Sequence, residues 1–177
     1  MKIVLVSFEA ITALDVVGPY EVLSLVPGAE VVFAGPHAGP VRTDNRVLGM
    51  QVDVALADVP HADVLLVPDT LAAYQQLAHA WRERFTLPVV AITGSNGKTT
   101  TKDLTAAVLS ARGPVLKTQA NFNNEIGLPL TLLGLRKKHT AAVVEIGMRG
   151  FHQIEALAPV ADPSIGMQAM QFGGIGA

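Results

Sequence analysis

Cysteine is absent from the 177-residue sequence. The chain therefore has no disulfides, no thiolate ligands for a metal and no cysteine nucleophile. No apolar run approaches the ~20 residues that a membrane-spanning helix needs. An excess of basic residues is also missing, because the formal net charge is −2 and the isoelectric point is about 6.2. Since nucleic acids and anionic membranes favour clustered Lys and Arg, we expect neither as a partner.

Apolar residues, in contrast, are abundant. They make up 50% of the chain, and the mean hydropathy is +0.39. A chain of this length can bury roughly 70% of its unfolded surface, so a sizeable core is possible. The amino terminus has a single Lys before a strand pattern and no small-residue cleavage site. We therefore expect no signal peptide and a cytoplasmic location.

Strand-like and helix-like segments alternate along the chain. Short apolar runs predict buried strands at residues 3–8, 29–34, 63–67, 89–92, 115–117, 141–146 and 164–170. Helical spacing is found in residues 12–26, 70–84, 98–112, 125–135 and 151–159, and residues 35–54 suit short antiparallel strands. The pattern predicts one α/β domain, residues 1–177, with a doubly wound, mostly parallel sheet of the flavodoxin-like or P-loop-like three-layer type.

Two helices have sequence features that predict their details. Pro19 lies inside the first helical segment, and proline favours the first position of a helix, so the regular part is predicted to begin there. In the helix after Lys98, apolar spacing predicts which side faces the sheet. The residues on that side are Leu104, Ala107, Val108 and Ala111.

The segment Leu87–Lys102, LPVVAITGSNGKTTTK, has the features of a phosphate-binding loop. A β-branched strand runs into a glycine turn, and a helical pattern follows. Backbone N–H groups at such a turn and the N-terminus of the next helix bind phosphate oxygens. Lys98 can reach β and γ phosphates, and the Thr99 hydroxyl is placed to bind Mg²⁺. The predicted nucleotide-binding residues are Gly94, Ser95, Asn96, Gly97, Lys98, Thr99 and Thr100.

The generic Walker A motif has four residues between its glycines, whereas this loop has two. The shorter loop resembles that of the Mur ligase family. Two further motifs, Asn121–Leu130 (NFNNEIGLPL) and Val143–Gly150 (VVEIGMRG), resemble those Mur ligases that add D-alanyl-D-alanine to a UDP-linked muramoyl tripeptide. The resemblance covers residues 71–166. It implies an ATP-binding domain, with ATP and Mg²⁺ as cofactors and Glu145 as a magnesium ligand beside Thr99.

Each of these motifs also has a purely structural interpretation. The glycine loop could be an ordinary turn before a helix, and Glu145 could be a charged strand end at the rim of the sheet. Asn121, Asn123 and Asn124 match the family loop near substrate and phosphates, but turn and capping chemistry would use the same residue type. The five histidines have no ligand-like spacing, so we expect no histidine metal site.

The resemblance to Mur ligases ends after Gly166. Met167–Ala177 departs from the family pattern, and the family's later ATP-domain segments and carboxy-terminal domain have no counterpart in these residues. Ligation requires the acyl acceptor to be held in attack geometry, which contributes as much as ~7–11 kcal/mol. We therefore expect nucleotide binding without complete ligase turnover. A ligase fragment that retains activity is the less favoured alternative.

The first 69 residues resemble a different family. Thr12–Leu23, Gly39–Asp44 and Asp63–Pro68 are similar to the isonitrile-hydratase-like branch of the class I glutamine-amidotransferase-like superfamily. That family has a nucleophilic cysteine at the end of its next strand, where this chain has Ile92-Thr93-Gly94, so hydratase activity is disfavoured. The change of resemblance suggests a chimera of residues 1–69 and 70–177. An engineered scaffold without biochemical function is then the main alternative to nucleotide binding.

Overall fold

The computed structural model describes residues 1–148 and 150–170. Arg149, part of the third motif, and the glycine-rich end from residue 171 lie outside the described residues. The chain divides into two compact units, Met1–Thr70 and Leu71–Ala177. Each unit has its own four-stranded sheet.

The first unit combines a parallel sheet with an antiparallel ribbon. In chain order its elements are β1 (Lys2–Val6), α1 (Ala13–Leu23), β2 (Glu30–Gly35), β3 (Gly39–Arg42), β4 (Gly49–Val52), β5 (Val54–Ala55) and β6 (Val64–Leu66). The parallel sheet has the order β5-β2-β1-β6, and β3 pairs with β4 in antiparallel fashion. The predicted excursion of short antiparallel strands is confirmed.

The core of the first unit forms around β1. Ile3, Val4 and Leu5 are at most 1% exposed, as a continuous apolar strand with neighbours on both sides predicts. The predicted start of the first helix is wrong, because α1 begins at Ala13 and contains Pro19 in its interior. Val16 is 1% exposed, so its burial stabilises the turn that precedes the proline. Tertiary packing thus outweighs the local proline signal.

The second unit alternates helices and strands. Its elements are α2 (Thr70–Glu83), β7 (Val89–Gly94), α3 (Lys98–Leu109), β8 (Val115–Lys117), α4 (Gly127–Leu133), β9 (Ala141–Glu145), α5 (Gln153–Ala161) and β10 (Ile165–Ala169). All four strands are parallel, in the order β10-β7-β9-β8. The predicted α/β class with mostly parallel strands is confirmed.

Helices cover both faces of this sheet. Val89 and Ala91 of β7 belong to one core cluster, which includes buried residues of α2, α4 and α5. Val90 and Ile92, the alternate residues of the same strand, belong to a second cluster with Ala106 of α3. Because successive strand residues point to opposite faces, the two clusters lie on opposite sides of the sheet. The second unit is a three-layer structure.

The single parallel sheet predicted for residues 1–177 is divided into two sheets in the structure. In the structure β7 pairs with β9 along one edge and with β10 along the other, so both of its hydrogen-bonding edges are occupied within the second unit. The result is two sheets in two compact units, Met1–Thr70 and Leu71–Ala177.

The buried side of α3 also differs from the prediction. Leu104 and Val108 are 63% and 74% exposed, whereas Lys102 and Ala106 are buried. The predicted side was chosen from apolar spacing alone. The loop that precedes the helix fixes its first residue at Lys98 and therefore determines which side meets the strands. The apolar stripe of a three-turn helix is too short to change the orientation that the loop sets.

Over the described ranges, 1–148 and 150–170, no helix combines the length and apolar character needed to cross a bilayer.

Candidate functional site

The loop between β7 and α3 depends on two glycines. Gly94 ends β7 with a φ of 132°, and a Cβ there would overlap the backbone of Ala169 in β10. Gly97 precedes α3 with a φ of 76°, in the left-handed region. Glycine adopts such conformations without the strain that a side chain introduces. The path of the loop is therefore specified by these two residues.

The N-terminus of α3 lies directly after the glycine turn. The Thr101 N–H donates to Gly97 O over 2.9 Å, which closes the first turn of the helix. The first N–H groups of any helix have no partner inside it, and the helix dipole is positive at this end. An anion beside the loop would be stabilised by both effects.

Lys98 adds a full positive charge to the loop. Its Nζ donates a 2.7 Å hydrogen bond to Gly94 O and lies 3.4 Å from Ser95 O. The ammonium group is therefore held against the backbone of the same turn. Electrostatically, the loop, the helix end and the lysine favour a ligand with several negative oxygens.

Glu145 lies at the carboxyl end of β9, beside the end of β7. The register pairs Ile92 with Glu145, so both strand ends meet at one edge of the sheet. Glu145 is 3% exposed. One carboxylate oxygen, Oε2, accepts a 3.1 Å hydrogen bond from Thr99 Oγ1, and the other, Oε1, accepts a 2.9 Å bond from Asn123 Nδ2. The structure thus brings together the two residues predicted to bind Mg²⁺.

A cleft of about 380 Å³ opens at this edge of the sheet. It is lined by Gly97, Lys98, Thr99, Thr100, Ala120, Asn121, Asn123 and Glu145. Gly94, Ser95 and Asn96 belong to the turn itself and not to the lining. A wider cleft of about 610 Å³ lies near the amino ends of β7 and β10 and contains none of the predicted site residues. The 380 Å³ cleft is therefore the candidate site.

The composition of the site suits a hard cation bound together with phosphate. Within the described residues, no group of three or more His, Cys, Asp or Glu side chains is placed to hold a metal ion. Mg²⁺ usually binds one or two carboxylates and takes its other oxygens from water and substrate phosphates. The 3.1 Å between Thr99 Oγ1 and Glu145 Oε2 is close to the ~2.9 Å edge of an octahedron with metal–oxygen distances of about 2.0–2.1 Å. The residues present fit the ion.

Two buried polar residues of the second unit, Thr118 and Lys102, were not predicted from the sequence. Thr118 is fully buried and its Oγ1 accepts a 2.9 Å hydrogen bond from the Glu145 N–H. Lys102, on the buried side of α3, lies 3.8 Å from Asp103 Oδ1, and Lys117 Nζ donates to the same oxygen over 2.8 Å. The Lys117 hydrogen bond, assisted by Lys102, lowers the pKa of the Asp103 carboxyl. No local motif marks the Thr118–Glu145 and Lys117–Asp103 contacts, because they join residues 27 and 14 positions apart.

Comparisons with known proteins identify the class of this domain. Residues 92–168 match the Mur ligase middle domain. The loop, the asparagine segment and Glu145 all fall within this match. Residues 92–168 are thus homologous to the middle domain of Mur ligases, and the resemblance seen in the sequence is confirmed for this part of the chain.

The individual proteins whose sequences match this chain include UDP-N-acetylmuramoyl-tripeptide–D-alanyl-D-alanine ligases. The ligase of Synechocystis sp. is 54% identical over 144 residues, which are 81% of this chain and 29% of the ligase. The ligase of Bacillus subtilis is 50% identical over 100 residues, 56% of this chain and 22% of the ligase. The chain therefore spans less than a third of the length of these relatives.

Solved structures of the same ligase share the fold. A crystal structure of MurF from Acinetobacter baumannii aligns with 93% of this chain at a TM-score of 0.58 and 30% identity. The structure of MurF from Thermotoga maritima in complex with ADP also covers 93%, with a TM-score of 0.54 and 25% identity. In both cases this chain covers 34% of the solved chain.

The extent of these matches bears on the first unit. The 144-residue match to the Synechocystis ligase is longer than the whole segment Leu71–Ala177, so it must include residues of the first unit. Similarity to the ligase therefore extends beyond residues 71–166, the range that the motifs alone indicated. The comparisons provide no support for an amidotransferase-like first half.

Proposed function

We propose that the second unit binds the phosphate groups of ATP or ADP together with Mg²⁺ at the loop between β7 and α3. Backbone N–H groups of Gly94, Ser95, Asn96, Gly97, Lys98, Thr99 and Thr100 surround the phosphates in this proposal. The Lys98 ammonium neutralises charge on the β and γ phosphates. The Thr99 hydroxyl and the Glu145 carboxylate bind the metal ion.

The observation that carries this proposal is the contact between Thr99 and Glu145. The two side chains lie 3.1 Å apart, next to a glycine turn, a helix N-terminus and a lysine. A helix start with a nearby lysine attracts anions in general, whereas a hydroxyl and a buried carboxylate beside it add the oxygen ligands that Mg²⁺ prefers. When bound, the ion would neutralise phosphate charge and fix the orientation of the phosphate chain.

Homology supports the choice of nucleotide. The Thermotoga maritima relative was solved with ADP, and it aligns over 93% of this chain. By analogy, we propose ADP and ATP as the ligands here. All the contacts proposed here are made to the phosphates and the metal ion, so we expect weak affinity.

A second candidate function is the complete reaction of the relatives, the ATP-dependent addition of D-alanyl-D-alanine to a UDP-linked muramoyl tripeptide. The 54% identity to the Synechocystis ligase favours it. Because the chain spans 29% of that ligase, we propose that residues 1–177 by themselves bind nucleotide without completing ligation. Formation of ADP and ligated product by the isolated 177-residue protein would contradict this.

The remaining alternative is a chimeric scaffold without biochemical function. A titration distinguishes it from nucleotide binding. Mg-ATP at millimolar concentration should raise the melting temperature of the wild-type protein, because a ligand that binds only the folded state stabilises it. The Lys98→Ala variant should show no such shift, and Lys137→Ala, which removes an exposed lysine outside the cleft, should behave like wild type. An unshifted wild type would support the scaffold.

A further inference from the structure

The Glu145 carboxylate has a donor on each oxygen. Thr99 Oγ1 donates to Oε2 over 3.1 Å, and Asn123 Nδ2 donates to Oε1 over 2.9 Å. Since Glu145 is 3% exposed, water has little access to compete with these two bonds. A carboxylate with a fixed donor on one oxygen cannot rotate freely, so the direction of the other oxygen is also set.

Asn123 is itself fixed by the chain around it. Its carbonyl oxygen accepts a 2.7 Å hydrogen bond from the Gly147 N–H, and its own N–H donates to Asn121 O over 2.8 Å. Its side-chain amide lies against Gly147, where a Cβ would come within 2.9 Å of Oδ1 and 3.2 Å of Nδ2. The loop that contains Asn121 and Asn123 is thus attached to Gly147, two residues after the end of β9.

The backbone of Glu145 is held in a similar way. Its N–H donates to Thr118 Oγ1 over 2.9 Å, and the Thr118 N–H donates to Val143 O over 3.1 Å. Thr118 therefore fixes the backbone at the strand end. The direction of the Glu145 carboxylate is set by its hydrogen bonds with Asn123 and Thr99.

We propose that Asn123 is a positioning residue for Glu145, which holds Oε1 so that Oε2 faces the metal ion beside the Thr99 hydroxyl. This rests on the proposed function, because it assigns a role within the same Mg²⁺ site. It also gives Asn123 and Asn124 different roles. Asn124 Oδ1 accepts from the Gly127 N–H over 2.8 Å at the start of α4, which is a structural role.

The test compares nucleotide affinity with and without the metal ion. Calorimetry measures the dissociation constant of ADP in Mg²⁺ and in EDTA, and the ratio reports the contribution of the ion. Mutation of a residue that hydrogen-bonds to a metal ligand typically lowers metal affinity by about 10–100-fold. We expect Asn123→Ala to reduce the Mg²⁺ contribution by roughly tenfold and to leave the affinity in EDTA unchanged.

A second variant disturbs the same hydrogen bond but keeps the Asn123 side chain. Gly147→Ala adds a Cβ that must displace the Asn123 amide, so the Mg²⁺ contribution should fall here as well. Gly166→Ala is the matched control, because a Cβ at Gly166 meets no atom within 4 Å. Gln119→Ala controls for loop mutation, since Gln119 is exposed and does not line the cleft. Fluorescence of Trp81, the single tryptophan, verifies folding of the second unit.

The outcomes separate this assignment from the function on which it rests. If the wild type shows no Mg²⁺-dependent binding, the proposed function fails and the assignment fails with it. If the wild type shows it and both Asn123→Ala and Gly147→Ala retain the full Mg²⁺ contribution, the assignment alone is overturned. An equal loss of affinity in Mg²⁺ and in EDTA would also overturn it, because that pattern indicates general damage to the loop.

Discussion

Thr99 and Glu145 are 46 positions apart in the sequence, and Thr99 Oγ1 donates a 3.1 Å hydrogen bond to Glu145 Oε2. Parallel pairing of β7 with β9 creates this contact, because it brings both strand ends to one edge of the sheet. In open parallel sheets, ligands bind beyond the carboxyl ends of the strands. The contact therefore lies where the topology favours a ligand.

The first prediction concerns this pair. Thr99→Val and Glu145→Gln should each reduce ADP affinity by roughly 10–100-fold in Mg²⁺ and have little effect in EDTA. Because both side chains act through one ion, the double variant should lose little more than either single variant. Thr140→Val, an exposed threonine outside the cleft, is the control. Independent, additive losses would contradict a shared metal site.

The second prediction concerns the loop conformation. Gly97 has a φ of 76°, so Gly97→Ala should destabilise the second unit by about 1–2 kcal/mol and weaken ADP binding. Urea unfolding followed by Trp81 fluorescence measures the stability. Gly166→Ala, where a Cβ meets open space, should change the stability by less than about 0.5 kcal/mol. Similar losses in the two variants would show that the backbone of the loop is not constrained.

The third prediction concerns a buried arginine that lines the 610 Å³ cleft and not the candidate site. Arg82 is 6% exposed and donates to the carbonyls of Ala161, Phe85 and Asp162 over 3.2, 2.9 and 3.1 Å. Arg82→Met removes three hydrogen bonds made by a buried side chain and leaves the buried Ala161 carbonyl without this donor, which should cost about 2–4 kcal/mol of unfolding free energy.

Its control is Arg84→Met. The Arg84 guanidinium lies 5.6 Å from the Trp81 ring at an exposed position, so the loss should stay below about 1 kcal/mol. ADP affinity should be unaffected in both variants. Equal stabilities of the Arg82 and Arg84 variants would contradict the role of Arg82.

The fourth prediction concerns pH. Burial, with smaller contributions from Lys138 and Arg136, lowers the pKa of His139 from its usual 6.5. The neutral ring also accepts a 3.0 Å hydrogen bond at Nδ1 from the Arg136 N–H. Because the folded pKa lies below the unfolded one, the unfolded chain binds the proton more readily. The stabilising contribution is complete above about pH 6.5 and is lost as the pH falls through the folded pKa.

Unfolding free energy measured between pH 8 and pH 5 should therefore decline more steeply below about pH 6.5 in the wild type than in His139→Gln. Trp81 fluorescence reports the transition of the second unit. His37→Gln, in the first unit, serves as the control. Identical pH profiles for wild type and His139→Gln would contradict the assignment.

The sequence predicted the loop because its chemistry is local. Glycines with positive φ, a lysine and a hydroxyl follow a β-branched strand within a few residues, and that order specifies a strand, a turn and a helix. The structure places Gly97, Lys98 and Thr99 in one cleft with Glu145. Glu145 was assigned to this site through a family resemblance, since no local pattern links it to Thr99, 46 positions away.

Features that depend on distant contacts were not predicted. The partners of β7 come from residues 141–145 and 165–169, so its membership of a second sheet could not be recognised from the strand itself. The buried side of α3 carries Lys102, which apolar spacing would assign to solvent. The link from Asn123 to Glu145 likewise requires the folded chain.

The most direct test of the central claim is the response of backbone amides to nucleotide, measured by NMR on the ¹⁵N-labelled protein with ADP and Mg²⁺. The account predicts that the largest shift changes occur at the amides of Gly97, Lys98 and Thr99, and that Lys98→Ala abolishes them. Unchanged amides in this loop at saturating ADP, or changes centred elsewhere in the chain, would contradict it.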